Sequence, residues 1–273
     1  MSSDHHVAMK QSSSVRLRPI ALPVEHGGWG LLAAPVALGL WLAPSLAGVW
    51  LGLAALGAFL TRQPLKLALG DYQRGKRYPR TIWAERFALG YGAIALIGLI
   101  LAIRSAAAPF WLPIALAVPI ALGQLLFDVR KQSRALVAEL FGAVAISALA
   151  AAIMMADGWP LWPALLVWLL LAIQSVTAII YVRIRLRLAR NEPARRMPAF
   201  LWHGAALAIA SGSVALGWAG WPVLFVFGLS ALRCWIGLLP RSLATPTPLV
   251  GAQEIVMSLI TVAGIALGLS PLA

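Results

Sequence analysis

Residues 161–182 read LWPALLVWLLLAIQSVTAIIYV, without a single Asp, Glu, Lys or Arg. As a helix rising about 1.5 Å per residue, the stretch is long enough for the ~30 Å hydrocarbon core of a bilayer. Leucine and alanine dominate it, and both are strong helix formers. In lipid every backbone N–H and C=O must be satisfied within the segment, which also selects helix. The stretch therefore reads as a transmembrane helix. It runs directly into Arg183-Ile184-Arg185-Leu186-Arg187, with Arg190, Arg195 and Arg196 beyond. That strict alternation resembles a strand more than a helix. It reads as an interfacial segment whose arginines are drawn to lipid headgroups, at roughly 1 kcal/mol each.

Eight further apolar segments flank this one. They run from Trp29 to Leu42, Leu46 to Thr61, Phe87 to Ile103, Phe110 to Phe127, Leu136 to Ala156, Ala199 to Ala219, Val223 to Leu239 and Ile255 to Leu272. The first two are short and joined at Pro44-Ser45, and are read as two tilted spans. Composition agrees: 61% of the 273 residues are hydrophobic and only 11% charged. A soluble domain carries about 25% charged residues, so this chain has too few to cover a soluble surface. The expected fold class is all-α, a polytopic membrane helical bundle of about nine transmembrane helices. Residues 1–19 are polar and Ser-rich and are read as a short cytoplasmic tail, and residues 20–273 as a single transmembrane helical domain.

The connecting loops fall into two classes that alternate along the nine spans. One class is basic: Arg62 to Arg86, Arg130 to Arg134, Arg183 to Arg196, and Arg241 with nearby Arg233. The other is nearly uncharged, and of the 22 Lys and Arg residues only Arg104 falls in it. The positive-inside rule then places the N-terminus in the cytoplasm and the C-terminus outside a bacterial inner membrane. Trp159, Trp162, Trp202 and Trp221 lie near span ends, as an aromatic belt requires. The net charge of +13 does not imply nucleic acid, because its basic residues sit in short loops where they act as topology signals and lipid contacts. The single cysteine, Cys234, excludes an intramolecular disulfide and a Cys/His zinc site.

Polar residues at membrane depth are costly and mark candidate sites. Glu25 and His26 open Glu25-His26-Gly27-Gly28-Trp29-Gly30 and are candidate acid–base groups. Arg62, Gln63 and Lys66 follow the second span. Arg62 and Lys66 lie four apart, which on a helix puts them on one face able to hold a phosphate. Asp128, Arg130, Lys131 and Arg134 follow the fourth span, with Asp128 beside Arg130 and Lys131 as a surface ion pair. Glu139, inside the fifth span, needs a cationic partner such as Arg62 or Arg130 and joins the candidate catalytic group. His203, Arg233, Glu254, Gln124, Gln174, Ser175 and Thr177 each read singly as helix–helix hydrogen bonds, and Gly264 with Gly268 as a small-residue packing pair. No paired-carboxylate spacing, Walker loop or HExxH is present, so no metal site is expected.

The Glu25 to Gly30 cluster, then Arg62-Gln63-Pro64, then Asp128 to Glu139 resemble the YwiC-like family of bacterial membrane proteins, over nearly the whole chain. In architecture the chain is also similar to UbiA-type intramembrane prenyltransferases, whose nine helices carry active-site loops after spans two, four and six. Phe127 to Arg134 resembles their tyrosine/lysine motif, with Phe127 at the tyrosine and Lys131 at the lysine. Ile179-Ile180-Tyr181 resembles the approach to their second aspartate motif, and Arg77 to Thr81 their basic stretch. That resemblance implies an isoprenoid diphosphate ligand held through Mg²⁺. This sequence, however, carries Arg62, Gln63 and Lys66 where the first aspartate motif stands, and arginines where the second stands, and cations do not ligate Mg²⁺.

Three functions fit these residues. The first is a UbiA-like protein, a prenyltransferase or a non-catalytic relative, that binds an anionic lipidic ligand through Arg62, Lys66, Arg130 and Lys131 with no required cofactor. The second is a transporter or flippase for an anionic solute, which calls for inverted repeats or broken helices. The third is a non-catalytic membrane assembly factor. A lateral opening above a basic pocket favours the first, a solvent path to the outer face the second, and a polar cluster without a cavity the third.

Overall fold

The computed structural model describes residues 16–23, 26–130, 132 and 134–269, apart from the side chains of His26 and Gly27. The described residues form helices and no strand. A short helix, α1 (Arg18–Ala21), precedes nine longer ones: α2 (His26–Leu42), α3 (Leu46–Tyr72), α4 (Pro79–Ser105), α5 (Trp111–Val129), α6 (Leu136–Ala156), α7 (Leu161–Ala189), α8 (Met197–Ala215), α9 (Trp221–Gly237) and α10 (Thr247–Leu269). Each longer helix contains or overlaps one apolar segment of the sequence. Seven of them, α3 to α8 and α10, are long and apolar enough to cross a membrane. The apolar helices α2 and α9 are shorter, at 17 residues each. At 1.5 Å per residue that is about 26 Å, just under the hydrocarbon thickness.

The helix ends overrun the apolar blocks. α3 continues past Thr61 to Tyr72, so Arg62-Gln63-Pro64 lies within a helix, where Pro64 is tolerated because neighbouring helices shield the backbone it frees. α4 starts at Pro79 and α10 at Thr247, each well before its apolar block. The largest correction concerns Arg183 to Arg187. The alternation there is not an interfacial strand but the last turns of α7. At 100° per residue, Arg183 and Arg187 share a partly exposed face, whereas Arg185 points the opposite way and is only 3% exposed.

α6 and α7 form the centre. Most alanines of α6, among them Ala143, Ala148, Ala150 and Ala151, are buried and let α2, α3, α5 and α7 pack around it. α2 and α7 to α10 share the largest apolar core with α6, built on Leu38, Met154, Leu170, Val223 and Ile265. α4 lies at the periphery and packs chiefly along α3. There Gly57 and Gly98 bring backbone onto backbone. A Cβ at Gly57 would stand 2.6 Å from the Ala95 amide nitrogen, and one at Gly98 would stand 2.8 Å from that of Ala54. Small residues at such crossings replace the hydrophobic drive that lipid removes. The Gly264/Gly268 pair works the same way, seating α10 against Val226 and Val223 of α9.

Candidate functional site

α3 and α5 touch sparingly, and between them lies a groove of about 550 Å³. Its α3 wall carries Thr61, Arg62, Leu65, Lys66, Leu69 and Gly70, the three-and-four spacing of one helix face. Its α5 wall carries Val118, Leu122, Leu125 and Asp128 on the same spacing. Leu65, Leu69, Leu122 and Leu125 are exposed, so the groove opens sideways onto the surface of the bundle. Arg74 and Arg80, from the α3–α4 connection and the start of α4, line it together with Arg62 and Lys66, the cations being spread over ~18 Å along α3 and the turn that follows it. Cationic and apolar side chains thus share its walls.

Two carboxylates hold two of these arginines. Asp128 sits in the last turn of α5, where the helix dipole disfavours an acid. It is 5% exposed, and the Arg62 guanidinium grips it with both prongs, Nε to Oδ2 at 2.8 Å and Nη2 to Oδ1 at 3.0 Å. Such a fork is among the stronger ion pairs because both hydrogen bonds are charge-assisted. Asp71 repeats the arrangement in the last turn of α3, at 1% exposure. Arg80 donates to it through Nε at 3.1 Å and Nη2 at 2.6 Å, and the Thr81 hydroxyl donates at 2.8 Å. Thr81 in turn accepts the Tyr78 amide at 3.0 Å. The chain reverses at Gly75, with φ of +64°, a conformation glycine takes without strain. The α3–α4 connection is therefore braced rather than loose.

The residues singled out in the sequence separate in space. Arg62, Lys66 and Asp128 line the groove. Gln63 faces elsewhere and donates to the Pro19 carbonyl at 3.3 Å, fastening α1. Arg130 is exposed in the turn after α5, and Lys131 lies outside the described residues. The Arg134 carbonyl accepts both Nη groups of Arg183, at 3.0 and 3.1 Å. Arg183 also donates to Glu139 at 2.7 Å. Glu139 therefore pairs with Arg183, not with Arg62 or Arg130, and it stands in the first turn of α6, where the dipole favours an acid. Asp128 likewise takes Arg62 as its partner, and not Arg130. Glu25 and the side chain of His26 lie outside the described residues.

The structure also gathers residues that read singly as bland. Arg185 donates to the Tyr181 hydroxyl at 2.6 Å and to the Ser242 carbonyl at 2.9 Å. The Arg233 guanidinium lies 4.4 Å from the Tyr181 ring centroid and pairs with Glu254. His203 packs edge-on to the same ring. Its Nδ1 donates to the Ala199 carbonyl at 2.8 Å. Its Nε2 is buried without a hydrogen-bond partner among the described residues. The one sequence signal for this cluster was the charged and aromatic character of positions at the same end of four consecutive spans.

The groove does not suit a protein-held Mg²⁺. That ion demands near-octahedral oxygen ligands, usually carboxylates. Both groove carboxylates are already gripped by arginines, and among the described residues no three His, Cys, Asp or Glu side chains are grouped to hold a metal.

Residues 22–154 match the family model described as YwiC-like protein. The YwiC-like region runs from α2 to near the end of α6 and so contains the whole groove, whereas the polar cluster of α7 to α10 lies beyond it. No curated protein and no solved structure matches the chain. With its apolar helices, the chain is an integral membrane protein.

Proposed function

We propose that this protein binds an anionic lipid in the groove between α3 and α5, with its arginine-rich end in the cytoplasm of a bacterial cell. The observation that carries this reading is a groove whose walls combine four cations with apolar side chains and open sideways onto the bundle surface. A headgroup meets cations of the set Arg62, Lys66, Arg74 and Arg80, and the hydrocarbon lies along the exposed leucines of α3 and α5 while remaining continuous with the bilayer. The volume of about 550 Å³ is within the ~300–1,000 Å³ usual for ligand pockets. Asp128 and Asp71 hold two of the arginines in place, so the anion is met directly by guanidinium and ammonium groups without a metal. The resemblance to intramembrane prenyltransferases makes isoprenoid diphosphates the first class to test. Binding of this kind serves either a transferase or a non-catalytic relative.

The experiment is thermal stabilisation of the purified protein by prenyl diphosphates and by phosphatidic acid, each with Mg²⁺ or with EDTA. A ligand at ~100-fold excess over its Kd stabilises by about 2.7 kcal/mol, a readily measured shift. A shift that survives EDTA and shrinks in a Lys66→Ala, Arg74→Ala variant is the expected result. A shift seen only with Mg²⁺ refutes the metal-independent clamp. No shift with any of these lipids, in either condition, refutes the lipid reading as a whole.

A further inference from the structure

Resting on the lipid reading, we infer that Gln124 of α5 selects the class of lipid. Its side-chain amide donates to an acyl ester carbonyl just below the phosphate, so the groove takes a diacylglycerol phosphate in preference to an isoprenoid phosphate. Gln124 lines the groove one turn before Asp128 on the same helix face, and so ~6 Å farther from the end of α5. The α5 lining residues around it, Val118, Ala121, Leu122 and Leu125, are apolar. On the α3 wall Ala58 is apolar too, and the Thr61 hydroxyl is spent on the Gly57 carbonyl at 2.8 Å. The Gln124 amide is thus a donor set among apolar side chains, one turn below the ion pair of Arg62 and Asp128.

The amide does not join helices. Gln124 reads in the sequence as a helix–helix hydrogen bond, yet among the described residues its side chain makes none. It rests on α6 at Gly142, where a Cβ would stand 2.4 Å from its Nε2 and 2.7 Å from its Oε1. A Leu or Met would fill that seat without leaving an amide unpaired, and an unpaired amide at membrane depth is costly. The Gln174 amide of α7 also lacks a partner among the described residues, but Gln174 does not line the groove. Because no hydrogen bond holds the Gln124 amide on α6, turning it toward a ligand breaks none. In a diacylglycerol phosphate the ester carbonyls lie a few bonds below the phosphate. The contact therefore places the phosphate toward Arg62 and Lys66, the cations nearest in level to Gln124. An isoprenoid phosphate offers only hydrocarbon at that depth and leaves the amide unpaired, which is how a polar site disfavours an analogue that lacks the matching group.

The test measures binding of dioleoyl phosphatidic acid, its ether-linked dioleyl analogue and geranylgeranyl phosphate to wild type and Gln124→Met, both full-length in detergent. The ether lipid keeps the phosphate and the chains but has no carbonyl. The expected result is that wild type binds the diacyl lipid about three- to tenfold more tightly than the ether lipid, the span of one hydrogen bond. Geranylgeranyl phosphate binds no more tightly than the ether lipid. Gln124→Met abolishes the preference by weakening the diacyl lipid alone, and it keeps or raises the ligand-free Tm because the unpaired amide is gone. Equal affinity of wild type for the diacyl and ether lipids overturns the carbonyl contact, and that comparison needs no variant to fold. A preference that persists in Gln124→Met overturns the role of Gln124. Geranylgeranyl phosphate binding wild type as tightly as the diacyl lipid overturns the acyl class. Those three outcomes leave the lipid reading standing. No binding of any of these lipids to wild type defeats that reading and this inference together.

Discussion

Removing Arg62 should cost far more than weakening Asp128, although the two form one ion pair. The Asp128 side chain is only 3% exposed, whereas that of Arg62 is 31% exposed. In Arg62→Met the carboxylate stays buried near the negative end of the α5 dipole and loses the donors on both oxygens. Stripping one partner from a buried pair in this way costs about 3–5 kcal/mol. In Asp128→Asn the amide oxygen still accepts one guanidinium hydrogen bond, and Arg62, at 31% exposure, keeps contact with the surface. The loss is then nearer that of a single charge-assisted hydrogen bond, about 1.5–3 kcal/mol. The double variant Arg62→Met, Asp128→Asn should be more stable than Arg62→Met alone, because no buried charge is left. The assay is reversible unfolding in mixed detergent micelles, run as a double-mutant cycle. If Arg62→Met unfolds no more easily than Asp128→Asn, the carboxylate reaches water or another cation and the reasoning about this bridge fails.

Three further outcomes are expected. Gly57→Leu should destabilise the protein by about 1–3 kcal/mol or more, since the added side chain meets α4 backbone and not a movable side chain; an unchanged unfolding midpoint would show that α3 and α4 do not cross there. Gly237→Ala should lower the thermal midpoint, because a methyl at that site collides with the Tyr181 hydroxyl that accepts from Arg185; Tyr181→Phe in the same background should recover part of the loss, and a lack of recovery would locate the clash elsewhere. In intact cells, a cysteine at Lys76 should resist a membrane-impermeant thiol reagent and one at Gly158 should react, with buried Cys234 silent in both, and the reverse pattern would invert the proposed orientation.

The nine long helices were legible because each apolar block is close to bilayer length and lipid permits few alternatives to helix. Their ends were not. Hydropathy marks where a segment leaves lipid, while a helix continues for as long as its backbone hydrogen bonds are satisfied. Arg62, Gln63, Pro64 and Lys66 therefore extend α3 and do not end it. The Arg183 to Arg187 alternation misled for a related reason. On a helix a period of two sends Arg185 to the face opposite Arg183 and Arg187, which is how one arginine becomes buried between helices while its neighbours stay at the surface. Charge pairing was the least legible. Asp128 has Arg130 two residues away but takes Arg62, 66 residues distant, because α5 turns its carboxylate toward α3 and Arg130 falls in the exposed turn beyond. Glu139 takes Arg183 across α6 and α7 for the same reason. Sequence gave the correct inventory of charged groups, and helix rotation decided their partners.

That rotation also separates two uses of charge at one end of the bundle. Around Tyr181 the polar groups bond mainly to one another or to backbone. Arg185 joins α7 to the turn at Ser242, Arg233 joins α9 to Glu254 of α10, and the Tyr181 ring sits between Arg233 and His203. Lipid supplies no hydrophobic drive between helices, so polar contacts of this kind hold them together. Around Arg62 and Arg80 the same chemistry is arranged differently. Each arginine is anchored on a carboxylate along one edge of a groove that remains open, and Lys66, Gly70 and Arg74 face the gap. Burial alone does not separate the two clusters, because Asp71, Asp128, Arg185 and His203 are all buried. A groove of about 550 Å³ borders the charges of α3 and α5. Around Tyr181 most of the polar groups are committed to one another or to backbone, with His203 Nε2 left over among the described residues. Cations that border an open groove can still meet an anion, and for that reason the α3–α5 groove, and not the α7–α10 cluster, is the site proposed for the lipid.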